Sequence, residues 1–213
     1  GEIFGIAGPN GSGKSTLFNI ITGIPFNADG GRFSMDGIEI ARLRPHERFR
    51  RGLARTFQTE TSFDALTVRE NLSLAAIYGG AGDAATTIDR CAATVGLDAA
   101  ALARVAGDVS VFEKKKLMIA TAIVNRPRLL LLDEPAAGLT RAEVDELKTL
   151  IWTIQDDGIS ILLVEHVLPL LLSVSARVLV MNHGEEVMTG TPEEIVKDTR
   201  VIEAYLGGTP VET

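Results

Sequence analysis

Cysteine is nearly absent from this sequence: Cys91 is the single example among 213 residues. One thiol cannot form an internal disulfide, and no second thiol or pair of histidines lies near it in the sequence to complete a zinc cluster. A disulfide scaffold and a cysteine-based metal centre are therefore excluded. This cysteine usage is typical of a protein from the reducing cytoplasm.

Basic residues are also few. Lysine and arginine number 21 against 28 aspartates and glutamates, which gives a net charge of -7 at pH 7. We therefore expect no nucleic-acid partner, because such proteins neutralise phosphates with a basic surface. Two local basic clusters remain, and we expect both to be solvated surfaces. For the arginine cluster the alternative is a lipid contact; it comprises Arg42, Arg44, Arg48, Arg50 and Arg51. For the lysine cluster the alternative is an interface or phosphate contact; it comprises Lys114, Lys115 and Lys116.

Apolar runs of membrane-spanning length are absent as well. The most apolar stretch, residues 159–181, is interrupted by Glu165, His166 and Arg177, and Pro169 would break a helix in its middle. No run reaches the roughly 18 residues that a spanning helix needs. The first residues do not resemble a signal peptide, and because they lack an initiator methionine we expect the natural start to lie upstream.

What the sequence does contain is typical of one α/β domain. Hydrophobic residues make up 46% of the chain, which excludes disorder. Short apolar runs alternate with helical patterns, as in a mostly parallel sheet covered by helices. The patterns predict strands at 3–6, 53–57, 129–132 and 159–164, a helix at 14–22, and hairpins around Asp36-Gly37 and around 182–184.

Between residues 67 and 126 the pattern is helical, and we expect a helical subdomain inserted into a core of residues 1–66 and 127–213. Helix starts are indicated by capping boxes, in which a hydroxyl and a carboxylate satisfy free amides of the first turn. The last box opens a final helix that is expected to end near Gly207. The four boxes are Thr67 with Glu70, Ser110 with Glu113, Thr140 with Glu143 and Thr191 with Glu194.

Residues 8–15 match the phosphate-binding pattern G-x-x-x-x-G-K-[ST], between a predicted strand and a predicted helix. Glycines let backbone amides surround a phosphate, Lys14 supplies a positive charge, and the Ser15 hydroxyl can bind Mg²⁺. The alternative is a glycine-rich turn without a ligand. The predicted nucleotide-binding set is Gly8, Pro9, Asn10, Gly11, Ser12, Gly13, Lys14, Ser15 and Thr16.

A second nucleotide element follows the four leucines at 129–132, which predict a strand buried on both faces. Asp133 and Glu134 come directly after them. Hydrolysis of a nucleoside triphosphate needs positioning and charge stabilisation, so we assign Asp133 to Mg²⁺ and Glu134 to the attacking water. The alternative is a surface turn with no catalytic role.

These motifs occur in a fixed order with further segments, namely Thr56, Phe57 and Gln58; Ser110 at a helix start; Asp133, Glu134 and Pro135; and Val164, Glu165 and His166. Over essentially the whole chain the set resembles the ATP-binding subunits of ABC transporters. The resemblance implies an α/β fold, with a P-loop NTPase core of the ABC ATPase type and an inserted helical subdomain. Segments 55–58, 66–71, 132–139 and 203–207 are similar to the ATPases of branched-chain amino-acid importers.

The resemblance also implies roles for three residues. Gln58 would contact Mg²⁺ and the lytic water, while its loop meets the membrane subunit; the alternative is an exposed glutamine at a strand end. His166 would reach the γ-phosphate; the alternative is a loop histidine that caps a strand. Ser110 would complete the site of a second ATPase subunit. We therefore expect Glu134, His166 and Gln58 to be catalytic, and Ser15, Gln58 and Asp133 to bind the metal.

The implied function is ATP hydrolysis that powers a membrane importer, for branched-chain or other hydrophobic amino acids or related small amides. The cofactors would be ATP and Mg²⁺. The protein would lie at the cytoplasmic face of the plasma membrane as a peripheral subunit, bound to transmembrane permease subunits, with a solute-binding protein in the wider system. The alternatives are a regulatory subunit that does not hydrolyse ATP and a soluble ABC ATPase outside transport.

Three features depart from the family pattern. In the signature segment Phe112 replaces a glycine and Glu113 a glutamine, while Thr140 stands where an aspartate is common. The aromatic residue that stacks on adenine would lie upstream of residue 1. We expect the Phe112 ring and the Glu113 carboxylate to obstruct the partner's γ-phosphate, which favours a heterodimer with a different ATPase over a homodimer.

Overall fold

The computed structural model describes residues 1–58, 61–79 and 83–206, so the predicted helix end at Gly207 lies outside the described residues. The strands are β1 Ile3–Ala7, β2 Ser34–Met35, β3 Ile38–Glu39, β4 Leu53–Arg55, β5 Leu129–Asp133, β6 Ser160–Val164, β7 Arg177–Asn182 and β8 Glu185–Gly190. The helices are α1 Lys14–Thr22, α2 Pro45–Arg50, α3 Val68–Gly79, α4 Ala84–Thr94, α5 Ala99–Ala103, α6 Val111–Ile123, α7 Arg141–Asp156, α8 Leu168–Val174, α9 Pro192–Ile195 and α10 Thr199–Leu206, with a short 3-10 helix at Ala106–Asp108.

Six strands form the central sheet in the order β4-β5-β6-β1-β7-β8. The first five are parallel, and β8 closes the edge as the antiparallel arm of the predicted hairpin. The second predicted hairpin, β2 and β3, pairs separately. Because the parallel strands end at one edge of the sheet, the segments that follow β1, β5 and β6 are brought together there.

The sheet is buried on both faces, as the run of leucines predicts. In β5, Leu130 and Leu132 belong to the larger core cluster, and Leu131 points to the other face. There it joins Phe18 of α1 and Ile6 of β1. This alternation follows from the two-residue period of a strand, and it fixes the position of Asp133 at the end of β5.

Local signals in the sequence are confirmed. The predicted helix at 14–22 has the observed bounds of α1. Each of the four capping boxes forms, with the hydroxyl accepting from the backbone N–H three residues later and the glutamate accepting from the backbone N–H of the cap residue. The boxes cap α3, α6, α7 and α9.

The predicted single helix after Thr191 is wrong. Two helices lie there, α9 and α10, separated by residues 196–198. Two other helices, α2 and α8, were not predicted. Pro45 and Pro169 stand in the first turn of these helices, where the missing N–H costs no hydrogen bond. Pro169 therefore helps to start α8 and does not interrupt it.

The prediction of a solvated arginine cluster fails at one residue. Arg42, Arg44, Arg50 and Arg51 are exposed, whereas Arg48 is completely buried. The Arg48 guanidinium donates to four backbone carbonyls and to one side chain, which satisfies the charge without a carboxylate. The acceptors are the carbonyl oxygens of Ile20, Ile21, Ala41 and Leu43 and the Asn27 Oδ1 atom.

The predicted solvated lysine turn is also wrong in part, because Lys115 and Lys116 of α6 are buried. The Lys116 ammonium pairs with Glu146 of α7 and lies 4.5 Å from the centre of the Phe112 ring. The Lys116 stem therefore packs between α6 and α7. Among the helices of the described ranges, none is long and apolar enough to cross a membrane.

Candidate active site

The phosphate loop connects the end of β1 to the start of α1. Gly8 has a φ of +152°, and a Cβ atom there would lie 2.3 Å from the carbonyl oxygen of Met181 and 2.6 Å from the Ser12 Oγ atom. Gly13 precedes α1 with a left-handed φ of +103°. Both positions require glycine. The loop therefore reaches the N-terminus of α1, where free amides and the helix dipole favour an anion.

Lys14 is folded back onto this loop. Its Nζ atom donates to the carbonyl oxygens of Gly8 at 2.7 Å and Pro9 at 3.0 Å and lies 3.4 Å from the Ser12 Oγ atom. Burial lowers the pKa of Lys14, and the negative charges of Glu134 and Asp133 act in the opposite direction. The ammonium therefore donates to carbonyl oxygens, and phosphate oxygens can take their place as acceptors when a nucleotide binds.

A cavity of about 200 Å³ opens over the loop. Its lining joins the phosphate loop to the two later motifs: Asn10, Gly11, Gly13, Lys14, Ser15, Thr16, Glu134 and His166. A larger cavity of about 640 Å³ lies at the other end of the sheet, where Leu129 and Ser160 begin their strands, and it contains none of the predicted site residues. Position at the carboxyl edge, and not size, identifies the site.

Glu134 contacts the two other predicted catalytic residues, Gln58 and His166. Its Oε2 atom accepts from the Gln58 Nε2 atom at 2.9 Å, and its Oε1 atom lies 2.7 Å from the His166 Nε2 atom. Glu134 has a left-handed φ of 49°, a conformation that few residues other than glycine adopt. Its N–H donates to the carbonyl oxygen of Val164. Motifs spread over more than 100 residues of sequence therefore meet at one carboxylate.

Asp133 is buried next to it and forms an ion pair that the sequence analysis missed. The Asp133 Oδ2 atom lies 2.7 Å from the Arg55 Nη2 atom, and the two side chains are 6% and 8% exposed. Arg55 also donates to the Asn19 Oδ1 atom, and its guanidinium carbon lies 5.4 Å from the centre of the Phe18 ring and 5.0 Å from that of Phe57. A charged residue inside the apolar segment 53–57 was the signal for it.

Oxygen donors of the kind that Mg²⁺ prefers are present at this edge of the sheet. They are the hydroxyl of Ser15, the carboxylate of Asp133 and the amide oxygen of Gln58, whose nitrogen already donates to Glu134. Over the residues that the structure describes, no group of three or more His, Cys, Asp or Glu side chains could hold a metal by itself. This donor set fits Mg²⁺, which is usually bound by one or two protein oxygens together with phosphate and water.

The signature segment lies apart from this cavity. Ser110 caps α6, and its hydroxyl accepts from the Glu113 N–H. The expected obstruction by the Phe112 ring is wrong, because that ring is buried and packs under Lys116. The Glu113 carboxylate is held by the Ser110 N–H and by the Arg104 guanidinium, and the pKa of Glu113 is lowered first by the backbone hydrogen bond from Ser110.

Glu165 is a second residue whose part in the site the sequence analysis missed. Its side chain is almost completely buried, and it accepts the Ala136 N–H at 2.6 Å on one oxygen. The other oxygen accepts the N–H groups of His166 at 3.1 Å and Val167 at 3.3 Å. Burial raises the pKa of Glu165. A carboxylate directly between an apolar strand and a candidate catalytic histidine was the available signal.

Comparison with known proteins defines the class. Residues 1–137 match the ABC transporter family, and residues 187–210 match the family described as branched-chain amino acid ATP-binding cassette transporter. The chain therefore belongs to the ABC transporter family and is one of its ATPases. The P-loop NTPase fold with helices over a mostly parallel sheet is confirmed by the same comparison.

Within the family, the chain is 37% identical to the high-affinity branched-chain amino acid transport ATP-binding protein BraF of Pseudomonas aeruginosa, over 97% of this chain and 87% of BraF. It is 36% identical to LivG of Escherichia coli, with the same coverage. It is also 32% identical to the lipopolysaccharide export system ATP-binding protein LptB of Haemophilus influenzae, over 97% of this chain and 86% of LptB.

Solved structures agree with the fold. The ADP conformation of MJ1267, an ATP-binding cassette of an ABC transporter, superposes with a TM-score of 0.86 at 28% identity. A nucleotide-free ATP-binding cassette from an ABC transporter gives 0.87 at 28% identity. Each match covers 97% of this chain and 88% of the other chain. The whole described architecture is therefore that of an ATP-binding cassette.

Proposed function

We propose that Glu134 polarises the water that attacks the γ-phosphate of ATP in this chain. The observation that carries the proposal is the pair of contacts that Gln58 and His166 make to its two carboxylate oxygens. They fix the orientation of the carboxylate before the reaction, which is how enzymes stabilise a transition state without reorganisation. The experiment that tests this role is ATP turnover by Glu134→Gln, which should bind ATP normally and hydrolyse it slowly.

The neighbouring residues would bind and orient the nucleotide. Lys14 and the amides of the phosphate loop hold the phosphates, and His166 reaches the γ-phosphate from the other side of the cavity. Mg²⁺, when bound, would neutralise phosphate charge between Ser15, Asp133 and Gln58. Ser110 would serve the site of a second ATPase subunit, as the family resemblance implies.

We further propose that the chain powers import of branched-chain or other hydrophobic amino acids or related small amides, together with a solute-binding protein. Its likeness to BraF and LivG, which are named for branched-chain amino acid transport, supports this class of solute. LptB is named for an export system, so an experiment has to distinguish import from export. Reconstitution with the permeases and the solute-binding protein that neighbouring reading frames encode should give ATP-dependent leucine uptake into vesicles. Leucine transport only from the side of the ATPase to the side of the solute-binding protein would contradict the proposed direction.

Docking to a permease is supported by an apolar surface next to the Gln58 segment. Two adjoining cavities of about 220 and 230 Å³ share Thr61, Met118 and Thr121. Exposed aromatic residues surround them, with Phe63 61% exposed and Tyr78 85% exposed. We propose that a permease helix covers this surface and holds the chain at the cytoplasmic face of the plasma membrane. Without the permease the chain should remain in the high-speed supernatant, and firm pelleting with membranes would contradict the proposal.

We also propose that residues 67–126 form a helical subdomain within a single domain. Helices α3 to α6 lie between β4 and β5, and they pack mainly on one another. The larger core cluster nevertheless continues from Leu72 and Leu117 into Leu130 and Leu132 of the sheet. Unfolding of the isolated chain should therefore give one transition, and two separate transitions would contradict a single domain.

We propose, finally, that the second ATPase subunit is a different chain with an unaltered signature. The charge of Glu113 supports a heterodimer, whereas the Phe112 ring does not, because it is buried. Glu113 is partly exposed and places a carboxylate where the family has a neutral glutamine. Glu113→Gln keeps a capping box, since glutamine also occurs at that position of the motif. The variant should raise turnover by the isolated chain at concentrations that favour dimers, and equal turnover would contradict the proposal.

A further inference from the structure

Glu165 joins the two loops that carry Glu134 and His166. It is the first residue after β6, and β6 lies between β5 and β1 in the sheet. Toward β5, one carboxylate oxygen accepts the Ala136 N–H, two residues beyond Glu134. Toward its own loop, the other oxygen accepts the N–H groups of His166 and Val167. One side chain therefore sets the distance between two loop backbones.

The His166 loop needs such a restraint against the Glu134 loop, which is itself held by the hydrogen bond from the Glu134 N–H to the Val164 carbonyl oxygen. Glu134 adopts a left-handed conformation, which persists only where the surroundings hold it. His166 is 45% exposed, and its ring is positioned against Glu134 through the loop backbone and the 2.7 Å contact. The Glu165 carboxylate is only 3% exposed and has three backbone donors, so its own position is closely defined. It thus holds the His166 loop in a fixed position relative to the loop of Glu134.

We infer that Glu165 is a positioning residue for ATP hydrolysis, which holds His166 against Glu134. The inference rests on the proposed roles of Glu134 and His166. Glu165 is buried and its carboxylate contacts only backbone N–H groups, so it acts through His166. It should affect the rate of hydrolysis and leave the affinity for ATP unchanged.

The test is a double-mutant cycle of ATP turnover in the transporter reconstituted with its permease subunits. Glu165→Gln replaces an acceptor oxygen by an NH₂ group that cannot accept from the loop amides. It should lower kcat by at least about tenfold, with the ATP dissociation constant within about twofold of the wild type. In a His166→Ala background the same change should lower kcat by less than about twofold, because its effect passes through the missing ring.

Two controls exclude a merely structural effect. Glu194→Gln alters a glutamate that also accepts a backbone N–H, in the capping box of α9, and should leave kcat unchanged. Glu165→Asp keeps the charge but is one methylene too short to reach both loops, and it replaces the glutamine variant if that variant does not fold. It too should lower kcat.

A direct readout is the ring resonance of His166 in the isolated chain, which has three histidines and is therefore simple to assign. Glu165→Gln should shift the His166 resonance and leave those of His46 and His183 in place. An unmoved resonance, or equal losses of kcat in both backgrounds, would overturn the inference. Wild-type turnover by His166→Ala would instead refute the proposed catalytic site itself, so the two failures are distinguishable.

Discussion

Removal of Arg55 should destabilise the chain strongly, because it would leave Asp133 buried without its counter-ion. The pair joins side chains that are 8% and 6% exposed, with 2.7 Å between Nη2 and Oδ2. Breaking a buried ion pair by removing one partner costs about 3–5 kcal/mol. For a chain of this length, that corresponds to a fall in Tm of about 6–20 °C. We therefore expect urea unfolding to show that Arg55→Met lowers the free energy of unfolding by about 3–5 kcal/mol.

A matched control comes from a pair of equal length at the surface. Arg69 and Asp89 are also 2.7 Å apart, but their side chains are 46% and 63% exposed. Exposed pairs contribute only about 0–1 kcal/mol, so Arg69→Met should have a small effect. The double variant Arg55→Met with Asp133→Asn removes the uncompensated charge and should recover at least about 2 kcal/mol. A loss of less than about 1 kcal/mol in Arg55→Met would refute the reasoning.

Three further predictions concern the phosphate loop, the start of α6 and the buried Phe112 ring. Lys14→Ala should lower ATP affinity steeply in calorimetric titration, because it removes the charge at the phosphates; unchanged affinity would contradict the site. The lowered pKa of Glu113 stabilises the fold above the ordinary glutamate value of 4.5 and loses this effect as the pH falls. The stability difference between wild type and Glu113→Gln should therefore shrink below pH 4.5, and a constant difference would be inconsistent with it. Phe112→Ala should cost about 3–5 kcal/mol of unfolding free energy as a buried aromatic, whereas a neutral result would place the ring at the surface.

The features that the sequence predicted well depend on neighbours in the chain. The bounds of α1 and the four capping boxes follow from residues three or four positions apart. The phosphate loop is likewise a local pattern, with glycine required at Gly8 and Gly13 by the backbone itself.

The features that were missed depend on distant neighbours. Arg48 was read as solvated because the carbonyl groups of α1 that bury it lie more than 25 residues earlier in the chain. Arg55 and Asp133 are 78 residues apart, and no local pattern connects them. The sequence alone predicts a Phe112 ring at the subunit interface, because it does not reveal that the ring is buried under Lys116. The partner that satisfies a buried charge and the residues that cover an aromatic ring are set by the tertiary fold, and local patterns do not identify them.

The most direct test of the catalytic account is ATP turnover by Glu134→Gln in the reconstituted transporter. Glutamine keeps the size and the hydrogen-bonding reach of Glu134 but cannot polarise water as a carboxylate does. Nucleotide affinity should therefore be retained, while hydrolysis slows by about two orders of magnitude or more, as expected for an interaction made in the transition state. Wild-type turnover by this variant, with ATP bound normally, would show that another group activates the water and would contradict the account.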